Sequence, residues 1–238
     1  MKHSPFIMSY VNWQIIMNSK EMQRNYEFAI KKILEAGFWF IDIPRTSSSS
    51  IRIELGERFG VPYGKNNLLD SKYSSEQILP DHLTALEMKR IIGSNYWGKI
   101  FSFTIVRNPW DRVLSMYFYR RMKKNIPENW SFSDYLYRLN NLEKYSSYFN
   151  YHGFILGASD YILDESGNIL VKLIIKFEDR INGLKTVSER LKIDNIGILH
   201  TQISKPVNLN YRSYYNNYTK DLIKEKYQKD IELFDYRF

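Results

Sequence analysis

A basic side chain followed by five hydroxyls, Arg45-Thr46-Ser47-Ser48-Ser49-Ser50, stands directly after the apolar run Phe38–Ile43 and a proline, Pro44. Placed between a strand and a helix, such a loop makes an anion site. The first N–H groups of the helix and its dipole favour negative charge, and the hydroxyls add donors. A phosphate-like group docks there without a metal, and the fixed guanidinium fork of Arg45 neutralises charge developing on an oxygen that leaves that group. The glycines and the lysine of G-x-x-x-x-G-K-[ST] are missing, which argues against the phosphate loop of a P-loop NTPase. A second stretch, Phe101–Tyr119, repeats the order strand, basic loop and helix, with Arg107 and Ser115 as its polar pieces. Two anion sites on one sheet suggest a bisphosphorylated nucleotide. Each has a plainer rival: a solvated serine turn, an Arg107–Asp111 pair at one helix start, and a Ser115 hydroxyl bonded to its own helix backbone.

The elements that must hold these groups are legible from periodicity. Glu21–Ala36 carries Met22, Tyr26, Ile30, Ile33 and Leu34 at helical spacing, and Gly37 suits the position just past a helix end. Phe38–Ile43 and Ile100–Val106 read as buried strands, and Ile169–Phe177 as a third. Helices are expected over Ser50–Phe59, closed by Gly60 and Pro62, and from Ala85 to about Ile92, where Thr84 and Glu87 form a capping box flanked by Leu83 and Met88. Asn108-Pro109 supplies a cap and a first turn for a helix to about Lys123. Ser131–Leu139, Asp179–Leu191 and the amphipathic stretch Thr219–Phe234 complete the set. Apolar strands alternating with helices predict an α/β protein, a P-loop-like three-layer fold with a central parallel sheet flanked by helices. Ligands of such sheets sit at the carboxyl ends of the strands, where both basic loops fall.

The 238 residues, 44% hydrophobic and 16% aromatic, suffice for one sizeable core, so one domain over 1–238 is expected, residues 1–36 forming a helical extension. A formal charge of +8 implies acidic partners, from nucleotide to nucleic acid, anionic glycan or membrane surface. With no cysteine there is neither a disulfide framework nor thiolate chemistry, and a reducing compartment is compatible. Ser4, Pro5, Ser9, Asn12 and Gln14 interrupt the apolar amino terminus, which therefore reads as neither signal peptide nor membrane span. The expected location is cytoplasmic.

PRTSSSSI, from Pro44 to Ile51, resembles the 5′-phosphosulfate loop of sulfotransferases that use 3′-phosphoadenosine 5′-phosphosulfate (PAPS). FTIVRNPWDRVLSMYF, from Phe103 to Phe118, resembles their 3′-phosphate loop and helix. His82-Leu83-Thr84-Ala85, YRSYY from Tyr211 to Tyr215 and DIELFDYRF from Asp230 to Phe238 are similar to the branch that sulfates carbohydrate hydroxyls. The resemblance runs from Phe38 onward. It implies transfer of the sulfuryl group from PAPS to a hydroxyl-bearing small molecule or glycan by in-line displacement, with no metal, no nucleic acid partner and no membrane span. By position, Arg45 matches the cation beside the bridging oxygen, Thr46, Ser47, Ser48, Ser49 and Ser50 the 5′ loop, and Arg107 with Ser115 the contacts to the 3′-phosphate. Ser204 and Lys205 are placed on a loop that closes over that phosphate, with Tyr211 or Arg212 assisting. Two departures stand out. Arg45 replaces the usual lysine, which leaves electrostatic stabilisation but no proton donor. Serines replace the loop's usual glycine, so a backbone path without positive φ is expected.

The acceptor hydroxyl must lose its proton as sulfur is attacked, and a neutral imidazole is the natural base. His82 is the choice: two residues before the capping Thr84, it should feel the positive end of a helix dipole and stay neutral. Its rivals are a structural role near the cap, the other histidines His152 and His200, and a carboxylate at Glu178 or Asp179. The cluster from Tyr119 to Lys124 reads either as a solvated helix end or as a site for an anionic acceptor. Two other classes stay open: a nucleotide-dependent phosphotransferase, and a non-catalytic binder of nucleic acid or sulfated polymer using the 19 Tyr and 14 Phe.

Overall fold

A computed structural model of the chain describes residues 26–63, 79–145, 149, 155–196 and 210–238. In chain order the elements are α1 (Glu27–Ala36), β1 (Phe38–Ile41), α2 (Ser48–Phe59), α3 (Ala85–Ile92), α4 (Ser94–Trp97), β2 (Phe101–Val106), α5 (Pro109–Met122), α6 (Phe132–Leu139), α7 (Leu142–Tyr145), α8 (Ala158–Ile162), β3 (Leu173–Lys176), α9 (Arg180–Leu191), α10 (Asn217–Lys226) and α11 (Gln228–Leu233). Short 3₁₀ turns cover Phe177–Asp179 and Tyr211–Tyr214. The described residues form two compact units, one up to Val106 together with 160–196, the other within 107–159 and 210–238.

In the first unit the three strands form a parallel sheet in the order β1-β2-β3. Phe38 pairs with Phe101 and Ile41 with Thr104, while Phe103 pairs with Leu173 and Val106 with Lys176. Alternate side chains of a strand point to opposite faces, so the complete burial of β1 means that both faces of the sheet are covered there. The class is therefore α/β, as the strand pattern predicts. Phe40 meets Phe103 across the strands at 5.0 Å between ring centres, and Trp39 stacks on Tyr63 at 4.6 Å. α1 buries Ala29 and Ile33, then stops at Gly37, whose φ of 74° lets its N–H reach the Ile33 carbonyl at 2.9 Å. α9 crosses β3 at Gly183, where a Cβ would lie 2.3 Å from Cγ2 of Ile175.

β3 is shorter than the expected Ile169–Phe177. Ile169 bridges back to Leu163 in antiparallel fashion, around a turn in which Oδ1 of Asp164 accepts from the N–H groups of Ser166 and Asn168 at 3.0 and 2.8 Å. Residues committed to that turn cannot also extend the parallel ladder.

The second unit is helical. Oδ1 of Asn108 accepts the Trp110 N–H at 3.1 Å and Pro109 opens α5, as the sequence predicts. Trp110, Leu114 and Tyr117 of α5 share a core with Tyr135 and Leu136 of α6 and Ile223 of α10. The expected single helix Thr219–Phe234 is two helices, because the chain leaves helical geometry at Tyr227, whose φ is −115°. Asp230 is 1% exposed and accepts the N–H groups of Ala158 and Ser159 at 2.6 and 2.8 Å; its carboxylate lies 3.7 Å from Arg112. Arg120 is not at a solvated helix end: it is 1% exposed, with its guanidinium 4.7 Å from the centre of the Phe149 ring. Among the described residues no helix is long and apolar enough to cross a membrane.

Candidate active site

The chain leaves β1 at Asp42, turns through Ile43–Ser47 and enters α2 at Ser48. The turn takes the positive φ that the serines were expected to avoid: 70° at Arg45 and 69° at Ser47. Left-handed backbone costs an L residue roughly 1–2 kcal/mol, so neighbouring bonds must hold it. One hydroxyl does so: Thr46 Oγ1 donates to the Ile43 carbonyl at 2.8 Å. The Ser48 hydroxyl lies beside the Asp42 carboxylate and favours its charged form. Thr46, Ser48 and Ser50 are buried, whereas Arg45, Ser47 and Ser49 are half-buried along the same turn. The Ser47 side chain, at the N-cap, does not cap the first turn of α2. Amide donors at a helix start carry the partial positive charge that suits a phosphate or sulfate, and Arg45, Ser47 and Ser49 stand beside them along the chain.

His82 lies in the same unit, against the root of this loop. Its Nδ1 is 2.9 Å from the main-chain oxygen of Asp42 and 3.0 Å from that residue's Oδ2. Arg52, on α2, places Nε 2.9 Å from the same Oδ2 and extends a terminal nitrogen to Asp81, the residue before His82. Asp42 and Arg52 are almost wholly buried; the His82 side chain keeps 17% of its surface exposed. His82 itself has φ of 60°, a third strained position at this place.

Charge balance follows from burial and neighbours. Burial disfavours the Asp42 carboxylate, but Arg52 and then His82 outweigh it and hold the group well below the ordinary carboxylate range. Burial likewise disfavours the His82 imidazolium, yet the charge and hydrogen bonds of Asp42 prevail over it and over repulsion from Arg52, and the pKa is raised. The expectation that a helix dipole keeps the ring neutral is thus corrected. The capping box does form, the Thr84 N–H meeting Glu87 at 2.7 Å and the Glu87 N–H meeting Thr84 at 3.2 Å, but it sets the Glu87 carboxylate on that helix end. Asp42 governs the ring.

In the second unit, Arg107 is 5% exposed and grips Asp111 through Nε at 2.8 Å and a terminal nitrogen at 2.6 Å, both on Oδ2. This is the structural pair that the sequence offered as a rival reading, and an anion at this loop would share the guanidinium with Asp111. Ser115, one turn further along α5, is 2% exposed. Tyr211 and Arg212 open a 3₁₀ turn held by Asn210, with the Arg212 guanidinium 4.8 Å from the Tyr211 ring centre. Asp179 accepts from Asn182 at 2.6 Å. Ser204, Lys205, His152 and His200 lie outside the described residues, as do residues 1–25 of the amino-terminal extension.

The residues that sequence reasoning passed over are Asp42, Arg52 and Asp81. A signal for the first was present: one acid inside FWFIDIP, in a strand that must be buried, has to be paired. Its partners lie 10 and 40 positions away, and no local pattern names them.

No protein-family description matches the chain, and no curated protein does. Among solved structures it is similar to mouse sulfotransferase SULT7A1 complexed with PAP, at 15% identity and a TM-score of 0.47 over 91% of each chain. It is also similar to a sulfotransferase from Alicyclobacillus acidocaldarius, at 13% identity and a TM-score of 0.40, over 88% of this chain and 91% of the other.

Proposed function

We propose that the chain, as one domain over 1–238, is a PAPS-dependent sulfotransferase that moves the sulfuryl group to a hydroxyl of a small molecule or glycan in the cytoplasm. The observation that carries this reading is the imidazole of His82 fastened to Asp42, at the root of the loop Arg45–Ser50. A base and an anion cradle thereby share one strand end.

The acceptor oxygen forms a bond to sulfur while His82 takes its proton through Nε2. The bond from sulfur to the bridging oxygen of the 5′-phosphate breaks, and its electron pair stays on that oxygen. Arg45, half-buried at the mouth of the loop, offsets the new charge without giving up a proton. The amides of the α2 start, with Thr46, Ser47, Ser48, Ser49 and Ser50, take the 5′-phosphosulfate, the hydroxyl of Thr46 chiefly by shaping the turn. Arg107 and Ser115 take the 3′-phosphate, with Ser204 and Lys205 assisting. No step in this scheme calls on a metal.

The test is thermal unfolding with adenosine 3′,5′-bisphosphate, with magnesium-ATP and with an oligonucleotide, since a ligand of the native state raises apparent stability by about 2.7 kcal/mol at one hundred times its Kd. The bisphosphate alone is expected to shift the midpoint, and Arg107→Ala to reduce that shift. Stabilisation by magnesium-ATP and not by the bisphosphate would assign a phosphotransferase; a response only to the oligonucleotide, a nucleic-acid binder. Transfer of labelled sulfuryl from PAPS to a panel of sugars and small alcohols then identifies the acceptor.

A further inference from the structure

The contacts around His82 say more than that a histidine is near a phosphate loop. Two oxygens face Nδ1, the main-chain carbonyl of Asp42 at 2.9 Å and its carboxylate at 3.0 Å, and neither has a proton to give at neutral pH. Nδ1 must therefore carry the hydrogen whether the ring is neutral or charged. In the neutral ring the lone pair then belongs to Nε2, on the side of the imidazole turned away from Asp42.

The second half of the arrangement is mechanical. Asp42 ends the run from β1, and His82 is reached only after forty further residues, so nothing local fixes their separation. Arg52 fixes it. From α2 it holds Asp42 with Nε and Asp81 with a terminal nitrogen, so one guanidinium ties the strand end to the segment bearing the imidazole. Its side chain is 4% exposed, where a fork with its charge compensated on two sides resists displacement by water. The left-handed backbone at His82, φ 60°, is what such a clamp would sustain.

We infer that Asp42 is a positioning residue, whose main-chain oxygen accepts from Nδ1 of His82 while its carboxylate sets a negative charge against the same nitrogen, fixing the tautomer and presenting Nε2 as the proton acceptor, and that Arg52 clamps Asp42 and Asp81 to keep that geometry. The inference rests on His82 being the base of the proposed reaction. It assigns to three charged residues outside the phosphate loop a share in the chemistry.

The charged groups that act on the ring are Asp42 and Arg52; Asp81 pairs with Arg52, the Ser48 hydroxyl lies beside Asp42, and Tyr63 is near Asp42 and Arg52. Asp42 favours the imidazolium and Arg52 opposes it, so replacing either moves the proton affinity of His82 in a stated direction.

The experiment is long-range ¹H–¹⁵N correlation spectroscopy of the uniformly labelled full chain without ligand, titrated through the histidine range, the signals of His82 being identified by their loss in His82→Gln. In the parent protein Nδ1 is expected to keep its proton throughout and Nε2 to be the nitrogen that titrates. Asp42→Asn is expected to weaken proton binding at His82 at least about tenfold, the smaller end of what one opposite charge within 4–6 Å does. Arg52→Gln is expected to strengthen it. A parent spectrum in which Nε2 keeps its proton in the neutral ring overturns the inference even if both variants fail to fold, and so does a folded Asp42→Asn whose His82 titrates as the parent does. Bisphosphate binding is measured beside it: absence of binding with the tautomer as expected discards the sulfotransferase reading and leaves the Asp42–His82 geometry standing.

Discussion

At the scale of single residues, the loop after β1 holds strain and charge together. Ser47 adopts φ of 69° with a side chain that a glycine would not have to accommodate. Relief of roughly 1–2 kcal/mol of left-handed strain outweighs the roughly 0.5–1 kcal/mol that glycine's greater unfolded-state freedom costs. Ser47→Gly is therefore expected to stabilise the protein by about 0.5–1 kcal/mol in urea unfolding, and a destabilised variant would mean that the Ser47 side chain holds the turn. His82 gives a prediction whose sign depends on pH. Its folded pKa is raised above the ordinary 6.5, so its contribution to stability is full below about pH 6.5 and is lost as pH rises through the folded value. The stability difference between the parent and His82→Gln should shrink over that alkaline window in urea titrations. A difference that grows with pH would show that Asp42 does not hold the ring charged. Asp42 behaves oppositely: its depressed pKa gives stability above the ordinary carboxylate range that is lost in acid.

At the scale of elements, the signals that bonded within four residues were readable and those that bonded across the fold were not. Thr84 and Glu87 form the capping box that their spacing announces, Asn108 and Pro109 begin α5 as they should, and Gly37 ends α1 in the left-handed region. Removal of the Thr84 hydroxyl tests how much such a cap contributes. Thr84→Ala should cost about 1 kcal/mol of stability, and because Thr84 is 5% exposed the loss should not fall below about 0.5 kcal/mol. A neutral substitution would mean that Glu87 alone holds the helix end. What could not be read was decided by tertiary partners. Ile169 is apolar enough to lengthen β3, yet it closes a turn onto Leu163; a regular amphipathic stripe spans 219–234, yet Asp230 turns to cap α8 and the helix breaks three residues earlier. The candidate site divides the same way. Arg45, Ser47 and Ser49 stand on a strand-to-helix turn as the local pattern requires, whereas the partner that sets the charge of His82 arrives from 40 residues away.

At the scale of the whole molecule, charge acts in two ways with opposite dependence on salt. The sequence holds 34 Lys and Arg against 26 Asp and Glu, an excess of 8 positive charges. Several acids are already spent in buried pairs, Asp42 with Arg52, Asp111 with Arg107 and Asp230 near Arg112, where screening by ions is weak. The charges that salt can reach are the exposed ones, whose net effect on the unliganded chain is mutual repulsion. Raising the ionic strength from about 0.01 to 0.1 M shortens the screening length from about 30 to about 10 Å, which relieves that repulsion while leaving the buried pairs in place. The urea midpoint of the ligand-free protein is therefore expected to rise over this range, as measured in sodium chloride, with no change of slope. Affinity for adenosine 3′,5′-bisphosphate should fall over the same range, because the excess that repels itself also attracts the anion. A midpoint that falls with salt would mean that attractive surface pairs outweigh the net charge. A bisphosphate affinity indifferent to salt would show that the net charge of the chain plays no part in attracting that anion.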